Sequence, residues 1–143
     1  MNIDYENPWI YLERAFTSDD IHDFYGFVYL ITNLTNQRQY IGRKYFWSHR
    51  KPPGKKRRVK KESDWKKYYG SCPELKADIE LLGRQNFSRR ILSLHKTPGK
   101  TNFEETRQLF INGVLTESLD TGVPKYYNSN ILSRYFRKDY YEG

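Results

Sequence analysis

Gly26-Phe27-Val28-Tyr29-Leu30-Ile31-Thr32, a polar stretch from Asn33 to Arg38, and then Gln39-Tyr40-Ile41-Gly42 decide how this chain folds. Both flanks are rich in β-branched and aromatic residues and the middle is polar, which predicts two short strands joined by a turn. Alternation sets Phe27, Tyr29 and Ile31 on one face of the first strand and Val28 and Leu30 on the other. Tyr40 and Gly42 share a face of the second strand, so two phenols stand on adjacent strands of a hairpin. Gly42 has no side chain, which lets a backbone or a ligand come close.

The rest of the composition bounds what this hairpin serves. A chain of 143 residues, 37% of them apolar, supports one domain with a modest core. Mean hydropathy is −0.92, and no apolar run approaches the length of a membrane span. The N-terminus, Met1-Asn2-Ile3-Asp4-Tyr5-Glu6, is acidic and has no hydrophobic segment, unlike a signal peptide. A single cysteine, Cys72, excludes an internal disulfide and a cysteine-based zinc site. Together these features predict a cytoplasmic protein.

Charge is concentrated. The net charge is +8, yet Arg43 to Tyr69 holds twelve Lys or Arg against Glu62 and Asp64 alone. That stretch exceeds the charge of the whole chain, and residues 1 to 25 carry six acids against Arg14. Such a basic stretch beside a neutral remainder points to a polyanion, most often nucleic acid. An anionic membrane fits less well, because no amphipathic helix carries the charge.

Taken in order, Asn7-Pro8-Trp9-Ile10-Tyr11 reads as an apolar anchor, followed by a short helix capped by Thr17 or Ser18. After the hairpin, bases and aromatics interleave from Arg43 to Arg50, where Phe46 and Trp47 are expected in the core. Lys51-Pro52-Pro53-Gly54 opens a basic loop that runs to Lys61. Pro73 begins a helix with Leu75, Ile79 and Leu82 at helical spacing, and Gly83 ends it. Phe87 to Leu94 reads as a third strand, and Thr97-Pro98-Gly99-Lys100 as a turn. Thr101-Asn102-Phe103-Glu104 has the form of a capping box, predicting a helix from about Asn102 to Leu115. The expected organisation is an N-terminal extension (1–25), a central domain (26–131) and a basic aromatic tail (132–143).

The two halves of the hairpin resemble the signature of the GIY-YIG nuclease family. The second half is intact as Tyr40-Ile41-Gly42, eleven positions after Tyr29. The first half is Phe27-Val28-Tyr29, with Phe27 where the family usually has glycine. The predicted order β-β-α-β-α is that of the family, which implies an α+β fold: a small three-stranded antiparallel sheet flanked by helices. Lys61-Glu62-Ser63-Asp64-Trp65 and Tyr69-Gly70-Ser71 bring the resemblance closest to compact enzymes of phage homing-endonuclease type.

The resemblance implies a metal-dependent endonuclease acting on double-stranded DNA, with residues to match. Tyr40 takes the place of the family's general base, and Tyr29 that of a group positioning water or phosphate. An unperturbed phenol titrates near 10, so Tyr40 needs a nearby cation to ionise, and Lys44 and the following arginines are candidates. Arg50, eight positions past Gly42, matches the arginine that grips the scissile phosphate, with Arg43 as the fallback. A slot filled by histidine or tyrosine falls at Tyr69, with Tyr68 and His49 competing. Glu104 and Glu105 are the candidates for the single metal-binding glutamate. Glu105 is chosen because the capping box occupies Glu104. One carboxylate with waters suits Mg²⁺ or Mn²⁺. Asn128, after Tyr127, matches a late asparagine that braces the site.

Arg43, Lys44, Lys55, Lys56, Arg57, Arg58, Lys60 and Lys61 are the candidate DNA contacts. The same fold also serves structure-specific repair and junction nucleases. A basic DNA-binding module without catalysis is the alternative from another class. Monomer and homodimer remain equally open at this level.

Overall fold

Trp9, Phe27, Phe46 and Trp65, all without solvent exposure, meet in one aromatic cluster, and the chain is wound around it. The computed structural model describes residues 3–51, 53–54, 56–57 and 59–143, with Arg50 described by its backbone alone. In chain order the elements are β1 (Ile10–Tyr11), β2 (Arg14–Ala15), β3 (Gly26–Asn33), β4 (Gln39–Tyr45), β5 (Trp47–Arg50) and β6 (Val59–Glu62). There follow α1 (Pro73–Leu82), β7 (Phe87–His95), α2 (Pro98–Ile111), β8 (Asn130–Ile131), β9 (Tyr135–Phe136) and the short α3 (Arg137–Tyr140).

β3 and β4 pair antiparallel, with Tyr29 opposite Gly42 and Ile31 opposite Tyr40. Alternation sorts their side chains as period two requires. Phe27, Tyr29 and Ile31 enter the cluster that contains Trp9, Trp65 and Leu75 and Ile79 of α1. Val28 and Ile41 enter a second cluster with Leu109 of α2, Val114, Leu115 and Ile131. The sheet is thus covered on both faces, by α1 on the phenol side and by α2 on the other.

The main sheet has five strands in the order β2-β1-β7-β3-β4, where three were expected. β3, β4 and β7 form the expected antiparallel core. The added pair comes from the N-terminal segment, with β1 running parallel to β7 through Ile10 and Arg90. Burial of Trp9 and Phe16 brings it there, and the buried Arg89 guanidinium donates to the Asn7 carbonyl at 2.6 Å. Strands two residues long leave no periodic signal in a sequence.

Two further boundaries move. α2 begins at Pro98, capped by Thr97, whose hydroxyl accepts from the Lys100 N–H at 3.1 Å. Pro98 at the first helical position starts a helix as readily as a turn, so Glu104 lies mid-helix and caps nothing. The basic loop is also shorter than 51–61, because Val59 to Glu62 pairs with Trp47 to Arg50 as a separate two-stranded ribbon. A short 3₁₀ turn, Ser18–Asp20, follows Thr17 as anticipated.

Candidate active site

β4 lies at the edge of the sheet, and its outer side is only partly covered. The segment 125–128 runs beside its first half: Gln39 N–H donates to the Lys125 carbonyl at 2.8 Å and Tyr127 N–H to the Gln39 carbonyl at 2.7 Å. Asn128 continues this pairing with its side chain against Ile41. Past Ile41 comes Gly42, and there a cavity of about 460 Å³ opens. Tyr29, Tyr40, Tyr68, Arg43, Glu105 and Asn128 all line it. Tyr29, Tyr40 and Gly42 share one face of the sheet, whereas Arg43 and α2 belong to the other. The cavity therefore wraps around the bare edge at Gly42 and joins the two faces.

The backbone around the phenols is built to close tolerance. A methyl group on Gly42 would lie 2.6 Å from Tyr29 Cζ, so no larger residue fits beneath that ring. Gly70, at φ +88°, approaches the same pair, and a methyl there would lie 3.1 Å from Tyr40 Cε2. In the pairing of β3 with β7, Val28 faces Ser93 and Tyr29 faces Ile91, leaving Leu92 as an extra residue on β7. Such a bulge bends the bulged strand and increases its local twist, and here it lies opposite the Val28–Tyr29 step. The Tyr29 and Tyr40 rings end 6.2 Å apart, and Tyr68 meets Tyr29 edge-on at 6.1 Å.

Burial sets the electrostatics. It holds Tyr29, hydrogen-bonded to Tyr68, well above the ordinary phenol value. It also pushes Tyr40 up to about 12, against the opposing pull of its hydrogen bond with Ser71. Cys72, Tyr68 and Glu105 raise Tyr40 further, and no cation is among its leading influences. Lys44 is engaged elsewhere, 2.6 Å from Asp64 Oδ1 and 4.1 Å above the Tyr68 ring. Burial raises the Glu105 carboxyl as well, and Arg43 opposes this from 3.4 Å. Glu104 differs in kind: Arg107 grips both its oxygens at 2.7 and 2.8 Å, and its pKa is lowered. The two neighbouring glutamates thus have separate surroundings, one in the cavity and one in a surface ion pair.

A family model described as "Putative endonuclease segE, GIY-YIG domain" matches residues 9–131, which is most of the chain. The chain belongs to the GIY-YIG endonuclease family. The domain is therefore that of a phosphodiester hydrolase with DNA as its substrate, and the non-catalytic module falls away. No curated protein and no solved structure matches. The match to the GIY-YIG model starts at Trp9, so it takes in the β1–β2 pair as well as the hairpin.

Within this GIY-YIG domain the predicted residues separate. Tyr29, Tyr40, Glu105 and Asn128 come together on the cavity, and Arg43 joins them. Tyr69 does not: its hydroxyl accepts from Asn7 Nδ2 at 2.9 Å, and its ring lies 4.2 Å under the Arg89 guanidinium. Adjacent residues of an extended segment point to opposite sides, so Tyr68 faces the cavity when Tyr69 packs on the N-terminal segment. The Arg50 side chain, Lys55 and Arg58 lie outside the described residues. Lys56, Arg57, Lys60 and Lys61 are exposed on or next to the ribbon, with Lys60 lying 4.4 Å over the Trp47 ring. Ser71 lines the cavity and Gly70 lies against Tyr40. In the sequence the two enter only through the Tyr69-Gly70-Ser71 resemblance and not as site residues, because a hydroxyl and a turn glycine are common in any loop.

Among the described residues no group of three or more His, Cys, Asp or Glu is arranged to hold a metal ion. Glu105 is, among the described residues, the one carboxylate lining the cavity. That donor set fits a hard cation that keeps most of its water, as Mg²⁺ and Mn²⁺ do, and does not fit zinc. No helix among the described residues is long and apolar enough to cross a membrane.

Proposed function

We propose that this GIY-YIG domain is a divalent-metal-dependent endonuclease that cuts double-stranded DNA, of the phage homing-endonuclease type. The observation that carries the reading is the convergence of three phenols and the Arg43–Glu105 pair on one cavity. The Tyr69-Gly70-Ser71 stretch supports the homing type by its resemblance to the compact phage enzymes. The basic ribbon beside the cavity supports DNA as the polyanion.

Each residue has a role that its surroundings favour. Glu105 holds Mg²⁺ or Mn²⁺, since a carboxylate buried beyond its ordinary comfort gains from a cation more than an exposed one does. An ion held there would supply charge stabilisation and help to activate water. Arg43, released from Glu105, presents its planar fork to the scissile phosphate. Tyr40 accepts the proton of the attacking water. In the free protein at about 12, only about one Tyr40 in 100,000 is ionised at pH 7. Positive charge in the cavity favours the phenolate, which burial disfavours first and Cys72, Tyr68 and Glu105 disfavour further. Tyr29, tied to Tyr68, orients the water and the phosphate. Asn128 keeps β4 in place beneath them.

Nicking of supercoiled plasmid tests the reading. The protein is expected to cut with Mg²⁺ or Mn²⁺ and to leave plasmid intact in chelator. Glu105→Gln is expected to retard the plasmid without cutting it. Cutting in chelator, or full activity of Glu105→Gln, sinks the proposal.

A further inference from the structure

Among the described residues the β5–β6 ribbon forms a two-stranded sheet of its own, apart from the main sheet. It is nevertheless fixed to the core at its base. Glu62 Oε1 accepts from the Ser18 hydroxyl and from the Trp65 indole N–H, each at 2.7 Å. Ser63 N–H donates to the Phe46 carbonyl at 2.7 Å, and Ser63 Oγ to the Tyr45 carbonyl at 2.6 Å. Phe46 and Trp65, which bracket the ribbon, are fully buried. The ribbon is thus held at a set angle to the active site.

Its inner side forms one wall of a groove of about 710 Å³ that shares Arg43 and Tyr68 with the catalytic cavity. Ser48 and Lys61, opposite one another in the ribbon, lie on this wall. The acids of the groove are already engaged, Glu62 at the base and Asp64 with Lys44. Arg43 and Lys61 leave the groove with a positive balance, and Lys51, Lys56, Arg57 and Lys60 add exposed charge on the ribbon and its tip.

We propose that the β5–β6 ribbon is a groove-inserting arm that enters the major groove of B-form DNA beside the cut phosphate. This rests on the nuclease reading and adds the form of the substrate and the way it is held. The major groove is about 12 Å wide and admits a two-stranded ribbon, whereas the minor groove, at about 6 Å, does not. Single strands are held by stacking bases on open aromatic faces. Here Lys60 Nζ lies 4.4 Å over one face of the Trp47 ring, and His49 stacks against Tyr25. The ribbon therefore offers cations and hydroxyls rather than stacking platforms, which suits duplex backbone and base edges.

Competition with groove-selective ligands tests the arm. Binding to a mixed-sequence duplex is measured by fluorescence anisotropy in chelator, with methyl green to fill the major groove or netropsin to fill the minor groove. Methyl green is expected to weaken binding at least tenfold, and netropsin to leave it within twofold. In a protein with residues 51–58 replaced by Asn-Gly, and in Ser48→Ala/Lys61→Ala, binding is expected to be weaker and to lose its sensitivity to methyl green. Circular dichroism identifies any variant that has not folded, and the competition on the native protein decides the matter without it. Displacement by netropsin instead of methyl green, or equal methyl green sensitivity in a folded variant, overturns the proposal. Duplex cutting with methyl-green-indifferent binding removes the arm and keeps the nuclease. Methyl-green-sensitive binding without metal-dependent cutting does the reverse.

Discussion

Asn128 clasps Ile41 by both ends of its carboxamide: Oδ1 accepts from the Ile41 N–H at 3.1 Å and Nδ2 donates to the Ile41 carbonyl at 2.8 Å. A side chain here replaces a neighbouring strand. It satisfies the last edge groups of β4 before Gly42, and one residue is enough because the cavity begins at the next position. Asn128→Ala should leave two buried backbone groups without partners, at about 1–3 kcal/mol each where water cannot reach them. A fall in the urea midpoint together with loss of cutting is expected. Unchanged stability would mean that water replaces the amide.

Gly42→Ala should cost about 1–3 kcal/mol, the usual range for overpacking a close contact. The added methyl meets the Tyr29 ring at 2.6 Å, and neither β3 nor the bulged β7 can yield easily. Cutting should fall more than stability does, since the ring that must move belongs to the site. Denaturation and plasmid nicking of the same preparation check both parts.

Glu105→Gln should raise the melting temperature at pH 7 while abolishing cutting. Burial lifts the folded carboxyl above its unfolded value, so its favourable contribution is present below the ordinary carboxylate range and lost as pH rises through the raised value. Above that raised value the native protein carries the cost of a buried charge, and the neutral amide does not. The difference between the two proteins should shrink as pH falls below the ordinary range. Mg²⁺ should stabilise the native protein alone, and thermal melts at several pH values with and without the ion read all of this.

Alkaline titration should show phenols in two classes. Tyr5, Tyr40 and Tyr127 are pushed up to about 12 by burial, and Tyr29 is held well above the usual value. Their raised values stabilise the fold below pH 10, and that contribution is lost as pH climbs toward 12. Ultraviolet titration should therefore show Tyr5, Tyr29, Tyr40 and Tyr127 ionising late, together with unfolding. Tyr40→Phe should remove one late phenolate and lower cutting by about 10²–10⁴-fold, the range for loss of a general base.

Replacing Lys55, Lys56, Arg57 and Arg58 with alanine should flatten the salt dependence of DNA binding. Each lost phosphate contact removes about 0.9 from the slope of log affinity against log salt, so the change is up to roughly 3.6. This rests on charge alone. An unchanged slope would move the phosphate contacts elsewhere, to Arg134, Arg137 and Lys138 in the tail for instance.

The hairpin, the helix from Pro73 and the third strand could be read from the chain because each is governed by local rules. Period-two alternation sorts Tyr29 from Val28, and proline at the start with glycine at the end frames α1. The sequence offers Glu105 over Glu104 only as a preference, and its reason, a capping box at Thr101, is not the one the fold supplies: α2 starts at Pro98 with Thr97 as its cap, and Glu104 turns to Arg107. Net charge in the stretch from Arg43 to Tyr69 was plain, but its folding into an anchored ribbon was not, since Glu62 finds Ser18 across 44 positions.

By itself, then, the sequence determined the two phenol-bearing strands, the family they resemble and the concentration of positive charge between Arg43 and Tyr69, because composition and short-range periodicity are properties of neighbours. Only the tertiary structure decided that the N-terminal segment completes the sheet, that Tyr68 and not Tyr69 faces the cavity, and that Asn128 ends the pairing of β4 at Ile41. Those outcomes depend on where Trp9, Arg89 and Gly42 are buried against partners far along the chain, and burial is settled by the whole fold at once.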